Sequence, residues 1–246
     1  MIREPAVAGT FYTASPARLK KEVLELLEVG QVRSPIPAIG VVSPHAGYIY
    51  SGHVTGEVLG RVRIPEKVVI LCPNHTGLGA YASINRAGVW RTPLGDVPIE
   101  EALARRLMEL DPQLEEDSLA HAREHALEVQ LPFLQTLRPD LSMVPLCLGH
   151  FPYRDCERLG AALAQAVAES ADPILMVASS DMNHYESQER TLQKDQRAID
   201  CILALDPKAL YDRVHEEHIT MCGIIPTTCM LIAAQALGAK EATLVK

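Results

Sequence analysis

The sequence has no cluster of lysines and arginines, and its 23 basic against 31 acidic residues give a formal net charge of −8. Phosphate backbones are held by grouped basic side chains, so no nucleic-acid partner is expected. A Cys-x-x-Cys pair is also missing: the six cysteines stand apart at Cys72, Cys147, Cys156, Cys201, Cys222 and Cys229. That scatter does not build a secreted disulfide scaffold, and the thiols read as reduced and intracellular. No apolar stretch reaches membrane-spanning length, and the opening Met1-Ile2-Arg3-Glu4-Pro5 has neither the basic nor the apolar region of a signal peptide. The expectation is a cytoplasmic protein without membrane contact. No low-complexity linker or internal repeat divides the chain, which predicts a single domain over residues 1–246.

What is present suits a large buried core. Hydrophobic residues make up 48% of the chain and charged ones 22%, the balance of a globular domain. Short β-rich runs alternate with longer amphipathic ones, which predicts an α/β fold: one three-layer α/β/α domain around a mostly parallel or mixed sheet. Four strand-like runs matter most. Ile39 to Val42 leads into Ser43-Pro44-His45, and Val68 to Leu71 into Cys72-Pro73-Asn74-His75. Met143 to Leu148 leads into Gly149-His150, and Ile174 to Val177 into Ser179-Ser180-Asp181. Helices are expected over Pro16 to Leu27, Val54 to Leu59, Glu100 to Leu110, Asp155 to Val167, Thr191 to Leu205 and Thr227 to Leu237, with a weaker one over Pro207 to His215. Ligands of such sheets bind beyond the carboxyl ends of the strands, so several histidine-bearing loops are expected to meet at one place.

Proline ends a strand ladder, and the histidine that follows it at His45, or two residues on at His75, then projects from the sheet's rim. Each could be a hydrogen-bonded loop residue or a ligand; the shared placement turns the pair toward function. Gly47, Gly52, Gly77 and Gly79 follow, either as ordinary turn residues or where backbone approaches a ligand. In Ser179-Ser180-Asp181-Met182-Asn183-His184-Tyr185, Asp181 could orient His184 as a general acid or base, or the segment could simply cap a helix. Cys222, beside Gly223 and just before a helix containing Pro226, could be held as a thiolate, whereas Cys72, Cys147, Cys201 and Cys229 read as small core residues.

One motif competes. His121-Ala122-Arg123-Glu124-His125 spells H-x-x-E-H, a zinc-peptidase pattern that needs both histidines on one helix face. Pro132 limits such a helix, and the reading leaves the histidines at the strand ends without a role. His215-Glu216-Glu217-His218 reads as a solvated helix end.

Taken together, these segments resemble the Memo family, the AmmeMemoRadiSam system protein B group, whose fold is similar to class III extradiol dioxygenases of the LigB type. The resemblance runs almost end to end. It rests on Ala8-Gly9-Thr10-Phe11-Tyr12, Pro44-His45-Ala46-Gly47-Tyr48 with Tyr50-Ser51-Gly52, Pro73-Asn74-His75, and Arg91-Thr92-Pro93-Leu94-Gly95. Further on it rests on Glu124-His125-Ala126-Leu127-Glu128 with Leu131-Pro132-Phe133, Ser179-Ser180-Asp181 with His184, and Cys222-Gly223. It implies a metal site at His45, His75 and Cys222, with Asp181 and His184 as the acid/base residues. Glu124, His125, Glu128 and Tyr48 would line or support the pocket.

The dioxygenases hold Fe(II) with two histidines and a carboxylate. Here the carboxylate position looks like Cys222, so iron (Fe2+) is the expected cofactor while copper or zinc can compete. The resemblance further implies an AMMECR-type protein and a radical SAM enzyme as companions, and a C-terminal strand segment beyond Lys246. Two other functions stay open: a scaffold that binds a small molecule, peptide or protein partner, with Phe11, Tyr12 and Tyr48 as contacts, and a zinc peptidase using the H-x-x-E-H segment.

Overall fold

The computed structural model describes residues 1–30, 32 and 34–246. The most apolar runs form the centre of a six-stranded sheet. Strands β3 (Lys67–Pro73), β8 (Ser142–Leu148) and β9 (Ile174–Ser179) are buried almost throughout, as strands covered on both faces must be. With β2 (Gly40–Ser43), β4 (Ala82–Ile84) and β7 (Glu115–Glu116) the spatial order is β2-β9-β3-β8-β4-β7. All neighbours run parallel except β4 against β8, so the sheet is mixed at one edge only. The register aligns Val41 with Val177, Leu71 with Ala178, and Cys72 with Cys147.

Two groups of helices sandwich this sheet. On one side α1 (Pro16–Glu28), α2 (Tyr48–Gly60) and α5 (Leu131–Leu137) pack on each other, and α2 on β2. On the other, α9 (Ile224–Ala236) lies against β2, β3 and β9 and is flanked by α6 (Tyr153–Glu169) and α8 (Pro207–Glu216). Helix α1 shows why such a segment folds: Pro16 sits at its first turn, and Leu19, Val23 and Leu27 recur every four residues as one buried stripe. Helix α9 differs because nearly every side chain from Ile224 to Ala234 is buried, the pattern of a helix enclosed by its neighbours. Helix α8 starts where Asp206 accepts the Ala209 N–H at 2.9 Å and Pro207 fills the first position.

All four anticipated strands and all seven anticipated helices are present, α3 (Glu101–Leu110) and α7 (Gln188–Leu203) among them, with ends within three residues of expectation except that α2 begins six residues early, at Tyr48. The segment 82–98 had carried no expected element. It supplies β4 and the hairpin of β5 (Val89–Thr92) and β6 (Gly95–Pro98), which with β1 (Ile2–Arg3) makes a separate three-stranded sheet. The expectation of a ligand-approaching glycine at Gly52 is corrected. It lies inside α2, where a Cβ would come 2.9 Å from Leu26 Cδ1, so its role is close contact between α1 and α2. No helix among the described residues is long and apolar enough to cross a membrane.

Candidate metal centre

The sheet order explains the site. Strands β2, β9 and β3 lie side by side and parallel, so the three polar exits Pro44-His45, Ser180-Asp181 and Asn74-His75 emerge together at one edge. The imidazoles of His45 and His75 meet edge to face with ring centroids 5.1 Å apart. A third ring joins them: His125 stacks on His75 at 4.7 Å and meets His45 edge-on at 5.5 Å. One ring nitrogen from each of His45, His75 and His125 lies within 4.8 Å of the others, close enough for three donors to share one ion. The fourth exit does not contribute, since His150 after β8 points to solvent.

Each ring is held from behind. His45 is 2% exposed and its Nδ1 is 2.9 Å from Ser179 Oγ. The His75 Nδ1 lies 2.9 Å from Glu124 Oε1, and the same carboxylate accepts the backbone N–H groups of His75 at 2.7 Å and Ala126 at 2.9 Å. Glu124 is fully buried, which by itself would raise its carboxyl, but the hydrogen bond and charge of His75 and two backbone donors hold it below the usual range. Phe11 lies over His125 with centroids 4.7 Å apart.

These surroundings set the three imidazoles apart. Burial, together with the charge of His75 and His125, pushes the basicity of His45 well down. Burial also lowers His125. At His75 burial is overcome by hydrogen bonds that the ring donates to Cys222 and Glu124 and by the Glu124 charge, and the group rises to about 10. The pocket thus concentrates one positive charge between an anionic carboxylate and a thiol, which is where a cation would displace a proton.

Cys222 arrives from the loop before α9. Its Sγ lies 3.2 Å from His45 Nε2 and accepts the Asp181 N–H at 3.3 Å. Gly223 makes this approach possible: a Cβ there would lie 2.3 Å from Ser180 Cβ and 2.4 Å from the Ser179 carbonyl oxygen. Its N–H donates to Ser180 Oγ at 3.0 Å, fastening the cysteine turn to the exit of β9.

The structure departs from the expected acid/base pair. Asp181 does not orient His184; its Oδ1 accepts the backbone N–H of His45 at 2.7 Å and of Ala46 at 3.3 Å, while Oδ2 lies 3.9 Å from His45 Nε2. The reason is sheet order, which sets the β9 exit against the β2 exit. His184 sits further out, in a turn fastened by Thr220, with its ring edge-on to the fully exposed Tyr185.

Two of the four expected pocket residues serve elsewhere. Glu128 is fully buried and accepts from Arg3, Ala6 N at 2.7 Å, Val7 N at 3.1 Å and Tyr12 Oη at 2.6 Å, tying down the N-terminal segment. Tyr48 packs on Tyr12 and Phe133 and donates to the Val129 carbonyl at 2.7 Å. Both tyrosines are core residues, so of the three proposed binding contacts only Phe11 faces the site.

The zinc-peptidase geometry is absent. Helix α4 (Leu119–Ala122) ends before Glu124, so His121 and His125 do not share a helix face. His121 instead lies fully buried edge-on to Trp90, with centroids 5.6 Å apart. His215 accepts no ligand role either; it stacks on Tyr211 at an exposed helix end.

Two further participants are Gln130 and Ser179. Gln130 is fully buried among Ser43, Pro44 and Ser179, and its only sequence signal is an amide inside the otherwise apolar run Val129 to Leu134. In the sequence Ser179 is one of several polar residues at the β9 exit, and only the fold sets its hydroxyl against His45.

Fold and site therefore define an α/β protein whose mostly parallel sheet carries a histidine cluster, backed by buried carboxylate and hydroxyl groups, at the carboxyl ends of its strands. Residues 3–246 match the family model described as Memo-like protein, and the chain belongs to that family. It is 40% identical to a MEMO1 family protein of Methanococcoides burtonii, over all of this chain and 92% of that one. It is 42% identical to a MEMO1 family protein of Thermotoga maritima, over 91% of this chain and 85% of the relative. Among solved structures, an uncharacterized protein of Escherichia coli K12 aligns with a TM-score of 0.47 at 16% identity, covering 72% of this chain and 77% of that one.

Proposed function

We propose that this protein holds a divalent transition-metal ion, iron first, on His45 and His75, with His125 and Cys222 completing the donor set. Its use would be redox or oxygenase-type chemistry on a small substrate. The observation that carries this reading is the convergence of three imidazoles whose ring nitrogens lie within 4.8 Å of one another. The residues fit such an ion: two of the rings have an oxygen acceptor behind Nδ1, the support that metal-bound histidines ordinarily have. Imidazole and thiol together suit iron, copper or zinc, and Asp181 Oδ2 offers a hard oxygen 3.9 Å from His45 Nε2. The resemblance of the Memo fold to extradiol dioxygenases, which hold Fe(II) with two histidines and a carboxylate, makes iron the first metal to test.

A bound ion would supply Lewis acidity and a one-electron couple. The chain's own groups do the rest. Glu124 holds His75 in orientation, Asp181 clamps the His45 backbone, and Phe11 shields His125 from water. His184, in the turn that follows the β9 exit and is fastened by Thr220, is the residue we assign to exchange a proton with an incoming substrate.

Elemental analysis of protein purified without oxygen tests the reading. Near-stoichiometric iron that disappears in His45→Ala and falls in Cys222→Ser is the expected result. No binding of iron, copper or zinc under any loading condition would refute the metal site, and zinc or copper in its place would refute iron.

A further inference from the structure

The hydrogen bonds behind His45 admit one arrangement of protons. Start at Gln130. One of its terminal side-chain atoms lies 2.8 Å from the Pro44 carbonyl, which can only accept, so that atom is the amide nitrogen Nε2. Its partner atom Oε1 then accepts from Ser43 Oγ at 2.9 Å. The second Nε2 proton faces Ser179 Oγ at 3.2 Å, so Ser179 accepts there. Ser179 has a single proton of its own, and its oxygen lies 2.6 Å from the Ala126 carbonyl. Two oxygens at that separation need the proton between them, which commits it. The remaining contact of Ser179 Oγ is His45 Nδ1 at 2.9 Å, and the hydroxyl can only accept it.

We infer that Ser179, oriented by Ala126 and Gln130, is a positioning residue that holds a proton on His45 Nδ1, and so turns Nε2 toward the histidine cluster. Cys222 Sγ, 3.2 Å from that Nε2, can donate its thiol proton to its lone pair. Behind His75 the Glu124 carboxylate, 2.9 Å from Nδ1, likewise only accepts, so that nitrogen too carries a proton. The two strand exits thus carry the same device built from different side chains. Ser43, Ser179 and Gln130 are all fully buried, so water does not compete for these bonds.

The consequence for affinity rests on the metal reading above; the proton's location does not. Long-range ¹⁵N–¹H correlation spectra of the metal-free protein, with His45 assigned by its loss in His45→Gln, test the location directly. The expected spectrum shows a protonated Nδ1 and an unprotonated Nε2. A proton mainly on Nε2 overturns the inference. In Ser179→Ala the acceptor is gone, and His45 is expected to move toward the Nε2-protonated form, while Ser179→Thr keeps the native pattern. An unchanged tautomer in Ser179→Ala also overturns it. In parallel, Co²⁺ and Zn²⁺ titrations should weaken by roughly 10- to 100-fold in Ser179→Ala and little in Ser179→Thr, the usual effect of removing a ligand's supporting partner. If the native protein binds neither ion nor iron but shows the Nδ1 proton, the metal reading fails and the positioning role stands.

Discussion

Replacing Glu128 with glutamine tests how the N-terminal segment is held over the site. The native carboxylate is fully buried and receives Arg3, the N–H groups of Ala6 and Val7, and the Tyr12 hydroxyl. Arg3 is itself 7% exposed, with its remaining guanidinium nitrogens on the carbonyls of His121 and Glu124 and its plane over Trp90. Glutamine keeps the shape, removes the negative charge and turns two acceptor sites into donors facing donors. Stranding one partner of a buried ion pair costs about 3–5 kcal/mol. For a chain of this size each kcal/mol moves the melting temperature by about 2–4 °C, so a drop on the order of 10 °C is expected. Urea titration followed by circular dichroism measures the loss. Phe11 lies on the same tether and covers His125, so loosening the segment should also raise solvent exchange at the His125 ring. The double variant Arg3→Met with Glu128→Gln should be less destabilised than the sum of the singles, because no buried charge is stranded. A single-variant loss below about 1 kcal/mol would refute the assignment, since that is the worth of an exposed pair.

Other outcomes follow from single residues. His121 is lowered to about 4 by burial and then by the charge of Arg3, so the folded state takes up its proton later than the unfolded chain does. Its contribution is therefore complete above about pH 6.5 and lost as pH falls toward 4, about 3 kcal/mol in all, and His121→Leu should flatten that part of the stability profile. Gly223→Ala should cost about 1–3 kcal/mol by overpacking against Ser179 and Ser180. It should also weaken metal binding in a chelator competition, because Cys222 must withdraw. Asp181→Ala should cost about 1–3 kcal/mol by stranding the N–H groups of His45 and Ala46. Asp181→Asn, which keeps an acceptor, should cost clearly less; equal losses would show that the clamp is not the stabilising part.

The strands and most helices were legible because their signals are local. Val68 to Leu71 and Ile174 to Val177 are apolar at every position, and Leu19, Val23 and Leu27 recur at helical spacing. Strands β4 to β6 were not legible: they are three or four residues long, and pairing with distant segments, rather than composition, makes them strands. H-x-x-E-H misled for a related reason. Five residues of pattern do not reveal that the helix stops at Ala122, and neither does the pattern show that Glu124 is needed behind His75.

For the site, the sequence by itself determined which chemistry is available: histidines and an aspartate carried on strand exits, and a cysteine beside a glycine. Which of these meet was decided only by tertiary structure, through the order β2-β9-β3 and the fold-back of residues 124–130 behind them. Those choices turned Asp181 from a partner of His184 into a clamp on His45, brought His125 into the cluster, and buried Tyr48 and Glu128 as supports. The physical reason is range. Strand and helix signals act between residues a few positions apart, whereas the proton held between Ser179 and Ala126 depends on groups 53 positions apart in the chain.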